Sequence, residues 1–378
     1  MARIKAGLQY IVVNLAASLL FLIGVSLIYG VTGTLNMADL AMRIAHVGPQ
    51  DRGLLEAGAG ILGLAFLVKA GMWPLCFWLA PTYAAATPPV ASVFAILTKV
   101  GAYAVMRLWL LLFGDQAGAS AQFGGDFLLF GGMATIAFGA LGILASQDLA
   151  RLGAFSVLVS SGTVLAAVGI GQSNVTGGAL FYLVSSTLGL SAFFLLVELV
   201  ERGREPGADV LAVSREAYGE ETLEEAQDVG IAIPATLGVL SLAFIASAVI
   251  IAGLPPLSGF IAKFALLAAA LKPQEGNTVG IAAWSLLGLL ILSGLAALIA
   301  LTRAGIHAFW DPPERDVPRV RLVEIAPIAA LLLLCALQTV QAGPVMRFVQ
   351  EAAKSLHEPQ QYIRGVLGAD GRSAPQGG

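Results

Sequence analysis

Runs of about 20 predominantly apolar residues recur from one end of this 378-residue chain to the other, each long enough to cross a hydrocarbon layer of about 30 Å as a helix. Inside such a layer every backbone N–H and C=O has to be satisfied by the protein itself, which leaves helices or closed barrels as spanning structures. Continuous runs of this length select helices. The composition fits: 12% of the residues are charged, about half the fraction usual in a soluble domain. The expected fold class is an all-α polytopic membrane protein. A net charge of −3 gives no sign of a nucleic-acid surface. Cys76 and Cys335 each lie alone in an apolar run, without metal-ligand spacing or a disulfide framework. Arg3 and Lys5 precede an apolar run too long for the core of a cleavable signal.

About nine spans are expected, two of them broken. The first covers Leu8 to Tyr29, followed by a turn-rich segment to Asn36 and a short amphipathic stretch from Met37 to Val47. The second starts near Leu54 and reaches Leu79, interrupted at Gly71 and Pro74, because an interior proline removes a helix hydrogen bond and clashes with the preceding turn. Thr87-Pro88-Pro89 opens the third, which ends near Phe113. The fourth runs from Asp126 to Ala145, and Asp148 caps a fifth that covers Leu152 to Ile170. The sixth runs from Gly178 to Val200. An acidic insertion, Glu201 to Val229, reads as a solvated loop or surface helix. The seventh is broken at Gly253-Leu-Pro-Pro-Leu-Ser-Gly259, with prolines at Pro255 and Pro256. The eighth covers Val279 to Thr302. A basic loop with Arg303, Arg315, Arg319 and Arg321 leads to the ninth, Val323 to Val340. An amphipathic tail follows and is expected to be disordered after Gly365. Counting Lys and Arg on alternate sides gives ten on the side of the N-terminus and seven on the other, which favours an inside N-terminus.

Three lysines stand against this apolar background. Lys69 precedes the first break, Lys263 follows the second, and Lys99 lies about 15 Å into its span, near the bilayer centre. A lysine there costs roughly 2.5–3.5 kcal/mol on insertion scales, so intramembrane charge points to an ion or proton path. Apolar surroundings penalise the ammonium, so a neighbouring charge can decide whether such a lysine holds its proton. The bland alternative is a snorkelling or structurally paired lysine. Lys69 and Lys99 are too deep to snorkel easily, and no carboxylate lies deep in the spans to pair with them. Broken helices expose unpaired backbone groups at membrane depth, tolerated only against protein or a water-filled cavity. Two of them, each with a lysine beside the break, suggest paired repeats.

Other candidates are weaker. Glu56 reads as a carboxylate at the start of the second span, suited to a helix N-terminus, with a role in proton uptake or exit as the alternative. Glu198 and Arg202 have the spacing of an i,i+4 pair. Asp39 is assigned to a loop or short helix, and His46 and His307 to the interface. Ser185, Ser186 and Thr187 offer hydroxyls inside the sixth span, either for water-mediated hydrogen bonds or as glue between helices. Gly58-Ala-Gly60-Ile-Leu-Gly63 has the dinucleotide-binding spacing, but no strand precedes it, so it reads as close helix packing. No cofactor and no metal are assigned.

Thr32–Ala41 (TGTLNMADLA), the stretch LVKAGMWPLCFWLAPTYAAATPPVASVFAILTKVGAYAVMRL and Gly253–Phe264 (GLPPLSGFIAKF) resemble the antiporter-like membrane subunits shared by Mrp-type multisubunit cation/proton antiporters and respiratory complex I. TGTLNMADLA and the FWDPPE segment at Phe309–Glu314 look most like the D subunit of the Mrp type, also called the Pha potassium/proton antiporter. The resemblance implies a fold of fourteen helices built on two inverted five-helix repeats, of which this chain corresponds to the C-terminal part, beginning at the sixth helix. It implies that Lys69 is the lysine of the first broken helix, Lys99 the lysine linking two half-channels, and Lys263 the ionisable residue of the second broken helix. It also implies a carboxylate partner for Lys69 on a helix that this chain lacks. Where relatives often carry a histidine, Tyr182–Thr187 offers serines, which weakens a relay from Lys99 to Lys263.

The resulting expectation is a proton-translocating subunit of a monovalent cation (Na+ or K+)/proton antiporter. It would sit in a bacterial inner membrane among other subunits of its complex, exchanging protons and cations and touching lipid but no nucleic acid. Lys69, Lys99 and Lys263 are the relay residues. Glu56, Ser185, Ser186, Pro74, Pro255 and Pro256 are accessory. The organisation expected is 1–113 for the end of a first helix repeat, 114–303 for a second, and 304–378 for a cytoplasmic loop, a last membrane helix and a tail. A transporter subunit, not an enzyme, is implied. The alternatives are a proton-pumping subunit of complex I or a membrane-bound hydrogenase, and a truncated structural subunit without transport of its own.

Overall fold

A computed structural model of the chain describes residues 2–202, 235–272, 279–309 and 322–368. Among them eight helices are long and apolar enough to cross a membrane, and two shorter apolar helices flanking a break make up a ninth crossing. In chain order the elements are α1 (Ala2–Thr32), α2 (Met37–Ile44), α3 (Pro49–Ala70), a 3-10 turn (Leu75–Trp78), α4 (Leu79–Ala85), α5 (Pro88–Leu112), α6 (Gly125–Ala145), α7 (Leu149–Ile170) and α8 (Ser173–Arg202). Then follow α9 (Ala235–Ala252), α10 (Ser258–Ala270), α11 (Ile281–Phe309), α12 (Leu322–Val340), α13 (Ala342–His357) and α14 (Gln360–Leu367).

Both breaks have the same local cause. α3 ends on Gly71 at φ +70°, with Gly71 N–H donating to the Val68 carbonyl and Met72 N–H to that of Leu67, a pattern that only a left-handed residue closes and that glycine adopts without strain. α9 ends in the same way on Gly253 at φ +78°, with Gly253 and Leu254 N–H both reaching the Val249 carbonyl. A cis prolyl bond follows each glycine, at Trp73–Pro74 and Pro255–Pro256. The three prolines are exposed. They shape the backbone and are not among the residues lining the central chamber or the groove beside Lys69.

The helices pack around α8, which touches α5, α7, α9, α10, α12 and α13. α7 is the most enclosed span, whereas α1 and α12 lie on the outside. Close approach depends on glycine. A Cβ on Gly132 would meet the Ala166 nitrogen at 2.5 Å, and one on Gly169 the Leu129 nitrogen at 2.4 Å, so α6 and α7 touch backbone to backbone, the small-residue packing of membrane helices. α1 lies on α3 by the same device, through Gly24 against Leu62 and Gly58 against Leu27. The dinucleotide-like spacing thus serves packing at Gly58 and at Gly63, which meets Trp109, while Gly60 faces open space.

Several expectations change in detail. α3 begins at Pro49, so Glu56 stands two turns inside the helix, where it accepts a hydrogen bond of 2.9 Å from Ser120 Oγ. Arg303 belongs to α11, not to a loop, and donates to the Leu144 and Ser146 carbonyls at 3.0 and 2.6 Å, closing the end of α6. Asp148 caps α7 through the Ala150 amide at 3.0 Å. Asp39 lies in the short helix α2 and pairs with Arg43 at 2.9 Å, which holds its carboxyl below the usual range. His46 and His307 are exposed. Both cysteines are buried and free. The acidic insertion, the basic loop beyond Phe309, the side chain of Arg202 and the end of the tail lie outside the described residues.

Candidate functional site

Each lysine is held by neutral oxygens. Lys69, in the last turn of α3, donates to Asn14 Oδ1 of α1. It is half-buried and lines a groove of about 230 Å³ with Tyr10, Asn14, Trp78 and Thr98. The backbone groups freed beside it are recovered from neighbouring helices. Ser161 of α7 donates to the Ala70 carbonyl, Thr135 of α6 accepts from Trp73 N–H at 2.8 Å, and Trp78 Nε1–H donates to the Val68 carbonyl at 3.2 Å. A break at membrane depth is stable on that condition.

Lys99 lies halfway along α5 and is only 2% exposed. Its ammonium donates to Ser160 Oγ, itself halfway along α7 and buried. Ser160 in turn donates to the Val157 carbonyl at 2.9 Å.

Lys263 sits in α10 but reaches back across the break. Its Nζ donates to the Ala252 carbonyl at 2.9 Å and the Ile251 carbonyl at 3.3 Å, the orphan acceptors at the end of α9. A charged hydrogen bond contributes roughly 1.5–3 kcal/mol, and the negative end of a helix adds a few tenths to about 2 kcal/mol. Together these offset an insertion cost of roughly 2.5–3.5 kcal/mol. Lys99, with one hydroxyl acceptor shown, is the less firmly held charge.

A central chamber lies against Lys263 and against Ser160, the acceptor of Lys99. Ser156, Ser160, Tyr182, Ser186, Ser293 and Lys263 supply its polar lining, and Ile143, Val159 and Ala297 are among its apolar walls. It leaves about 20 Å³ for the centre of a water-sized sphere, enough to hold a water. Ser160, the acceptor of Lys99, therefore shares a wall with Lys263. Ser185 also borders the chamber, but its hydroxyl is spent on Ser258 Oγ at 2.8 Å, tying α8 to the start of α10. Ser186 and Thr187 donate to the Leu183 carbonyl. Glu56 lies apart, on the face of α3 toward the loop carrying Ser120.

Sequence reasoning missed Asn14, Ser156, Ser160, Ser258 and Ser293. The signal for Asn14 was available, as a side-chain amide two turns into the first span. The serines carry none, since a hydroxyl in a helix satisfies itself on its own preceding turn.

A family model described as NADH:quinone oxidoreductase/Mrp antiporter, TM, matches residues 1–290. The chain is 58% identical to the D subunit of a probable K(+)/H(+) antiporter of Rhizobium meliloti, an alignment covering 100% of this chain and 70% of that protein. It is 32% identical to the D subunit of the Na(+)/H(+) antiporter of Bacillus subtilis, over 97% of this chain and 68% of the relative. Among solved structures, a chain of the Mrp complex from a Dietzia species superposes with a TM-score of 0.76 at 24% identity, covering 97% of this chain and 70% of that one. A chain of respiratory complex I from Thermus thermophilus superposes with a TM-score of 0.71 at 22% identity, over 95% of this chain and 70% of that one. The two superpositions establish the fold.

Proposed function

The chain belongs to the NADH:quinone oxidoreductase/Mrp antiporter membrane family, and we propose that it carries protons through Lys69, Lys99 and Lys263 as the D subunit of a multisubunit monovalent cation/proton antiporter. It works among the other subunits of that complex in a bacterial inner membrane, exchanging protons for K+ or Na+, the ions for which its relatives are named. The observation that carries the reading is that Lys263 and Ser160, the acceptor of Lys99, line one chamber. Two cations facing each other through low dielectric repel. A proton arriving at one lysine therefore drives the proton off the other, and charge passes laterally through the protein. Lys69, hydrogen-bonded to Asn14 in an open groove, is the intake end of the path. The pumping-subunit alternative rests on likeness of fold at 22% identity, whereas 58% identity to an antiporter subunit covers the whole chain.

The test is proton-coupled cation efflux in membrane vesicles carrying the complete complex. Lys99→Ala is expected to lower the rate by about a hundredfold, the usual worth of a positioned proton-transfer group, while the complex still assembles. A wild-type rate in an assembled Lys99→Ala complex sinks the reading.

A further inference from the structure

The proton-relay reading above leaves a gap, which the structure fills with a residue that carries no charge. Lys99 and Lys263 make no hydrogen bond to each other; Lys99 ends on Ser160, and Lys263 on the carbonyls of Ile251 and Ala252. Among the described residues the acceptor hydrogen-bonded to Lys99 is the Ser160 oxygen.

We propose that Ser160 is a relay residue in its own right, a hydroxyl that swings between the Val157 carbonyl and the central chamber and hands protons from Lys99 to a water there. The observed arrangement, with Ser160 donating to Val157 at 2.9 Å, is the closed position. Rotation about the Cβ–Oγ bond leaves the oxygen against Lys99 and turns the same hydrogen toward the chamber that Ser160 already lines. The transfer then balances without any redox step. An N–H bond of the Lys99 ammonium breaks as its proton joins Ser160 Oγ. The original Ser160 O–H bond breaks as that proton passes to the water. The water gives one of its protons to the neutral amine of Lys263, forming the new N–H bond. Lys99 ends neutral, Lys263 charged, and the serine and the water are restored.

The chamber suits a water that is held but not trapped. A buried water makes about three hydrogen bonds, and Ser160, Ser186, Ser293 and Lys263 all border the space. Ser156, Ser186 and Ser293 donate to backbone carbonyls of their own helices, Leu152, Leu183 and Leu290, which leaves their oxygens to accept. Ser160 differs from these three because its oxygen already accepts from Lys99. Ser185, committed to Ser258, is a pin between helices. A small rotating hydroxyl and one water thus do what an imidazole would do in a single side chain. This also makes the link conditional on the Ser160 rotamer.

The experiment measures proton-coupled cation efflux in vesicles carrying the complete complex, with Lys99→Ala run in parallel. Ser160→Ala is expected to reduce the maximal rate at least about tenfold with the cation KM unchanged, and Ser160→Thr, which keeps the hydroxyl, to restore it. Ala297→Val removes no polar group but fills the chamber from α11, and is expected to slow transport to a similar degree. If Lys99→Ala abolishes transport while Ser160→Ala and Ala297→Val run at the wild-type rate, the hydroxyl bridge is wrong and the lysine reading stands. If Lys99→Ala itself is without effect, both fall. Should Ser160→Ala fail to assemble, Ala297→Val decides: wild-type transport overturns the bridge, and slowed transport in an assembled complex supports it.

Discussion

A methyl group added at Gly253 would meet Lys263 Cδ at 2.6 Å and Nζ at 2.9 Å, on a backbone at φ +78° where an L side chain is strained. The glycine therefore does two things at once, closing α9 and leaving the groove through which the lysine reaches the α9 carbonyls. Gly253→Ala is expected to push the ammonium off the Ala252 oxygen and to cut proton-coupled efflux by about tenfold or more, since a displacement near 1 Å can cost a hundredfold. Gly60→Ala is the control. It sits in α3 with nothing within 4 Å of the added carbon and should transport at the wild-type rate in the same vesicle assay. At this scale the sequence is informative where a residue is expensive. A lysine, or a proline inside an apolar run, has a cost visible without any structure, so Lys69, Lys99, Lys263 and the two breaks were legible. A serine in a membrane helix costs little, and Ser160 resembles Ser156 and Ser161 on paper. What distinguishes it is a neighbour 61 residues away, which appears only after α5 and α7 have packed.

The elements follow the apolar runs closely, with ends that shift by several residues into polar sequence. α11 does so at Arg303, which serves α6, and α3 does so at its start, which moved Glu56 inward. The amphipathic tail is the element whose role was least legible. α13 packs along α8, Gln350 fits against Gly177, and at its end His357 Nε2 meets Thr176 Oγ1 at 2.9 Å. α14 continues to Arg107 of α5, whose guanidinium lies 4.5 Å over the Tyr362 ring. The two helices form a strap across one end of the bundle. Burial lowers the His357 pKa, against a smaller opposing pull from Asp115 and Glu358. The docked form therefore binds fewer protons than the released form in the range just below the ordinary imidazole value of about 6.5. Docking is fully supported above that value and weakens as the pH falls through it. Protection of the amides in the last turn of α13, corrected for the intrinsic pH dependence of exchange, is expected to fall as the pH is lowered through about 6.5. His357→Gln should abolish that dependence, and unchanged protection in the wild type would exclude this role for the strap.

Across the whole molecule the polar groups run sideways, not from one membrane face to the other. Asn14 of α1 holds Lys69 of α3, Lys99 of α5 holds Ser160 of α7, and Lys263 of α10 faces the same chamber beneath α8. Lys99, Ser160 and Ser185 each stand about halfway along their helices, so the line lies in one layer near the middle of the bilayer. The glycine contacts of α6 with α7, and of α8 with α10 through Gly178 against Leu266, keep that layer thin enough for single side chains to span. On the proposed proton path this line is a series circuit, and series links have a signature in mutant combinations. Groups acting as one unit lose nearly all of their effect when any one is removed, so their losses do not add. Lys99→Ala and Lys263→Ala are each expected to slow proton-coupled efflux in the complete complex by about a hundredfold, and the double variant to be no slower than the slower single one. Additive losses, in the logarithm of the rate, would instead mark independent sites, each with its own route to water. The double variant is decisive once it and both singles are shown to assemble, because α5 and α10 both pack on α8 and a shared packing defect would otherwise mimic a shared proton.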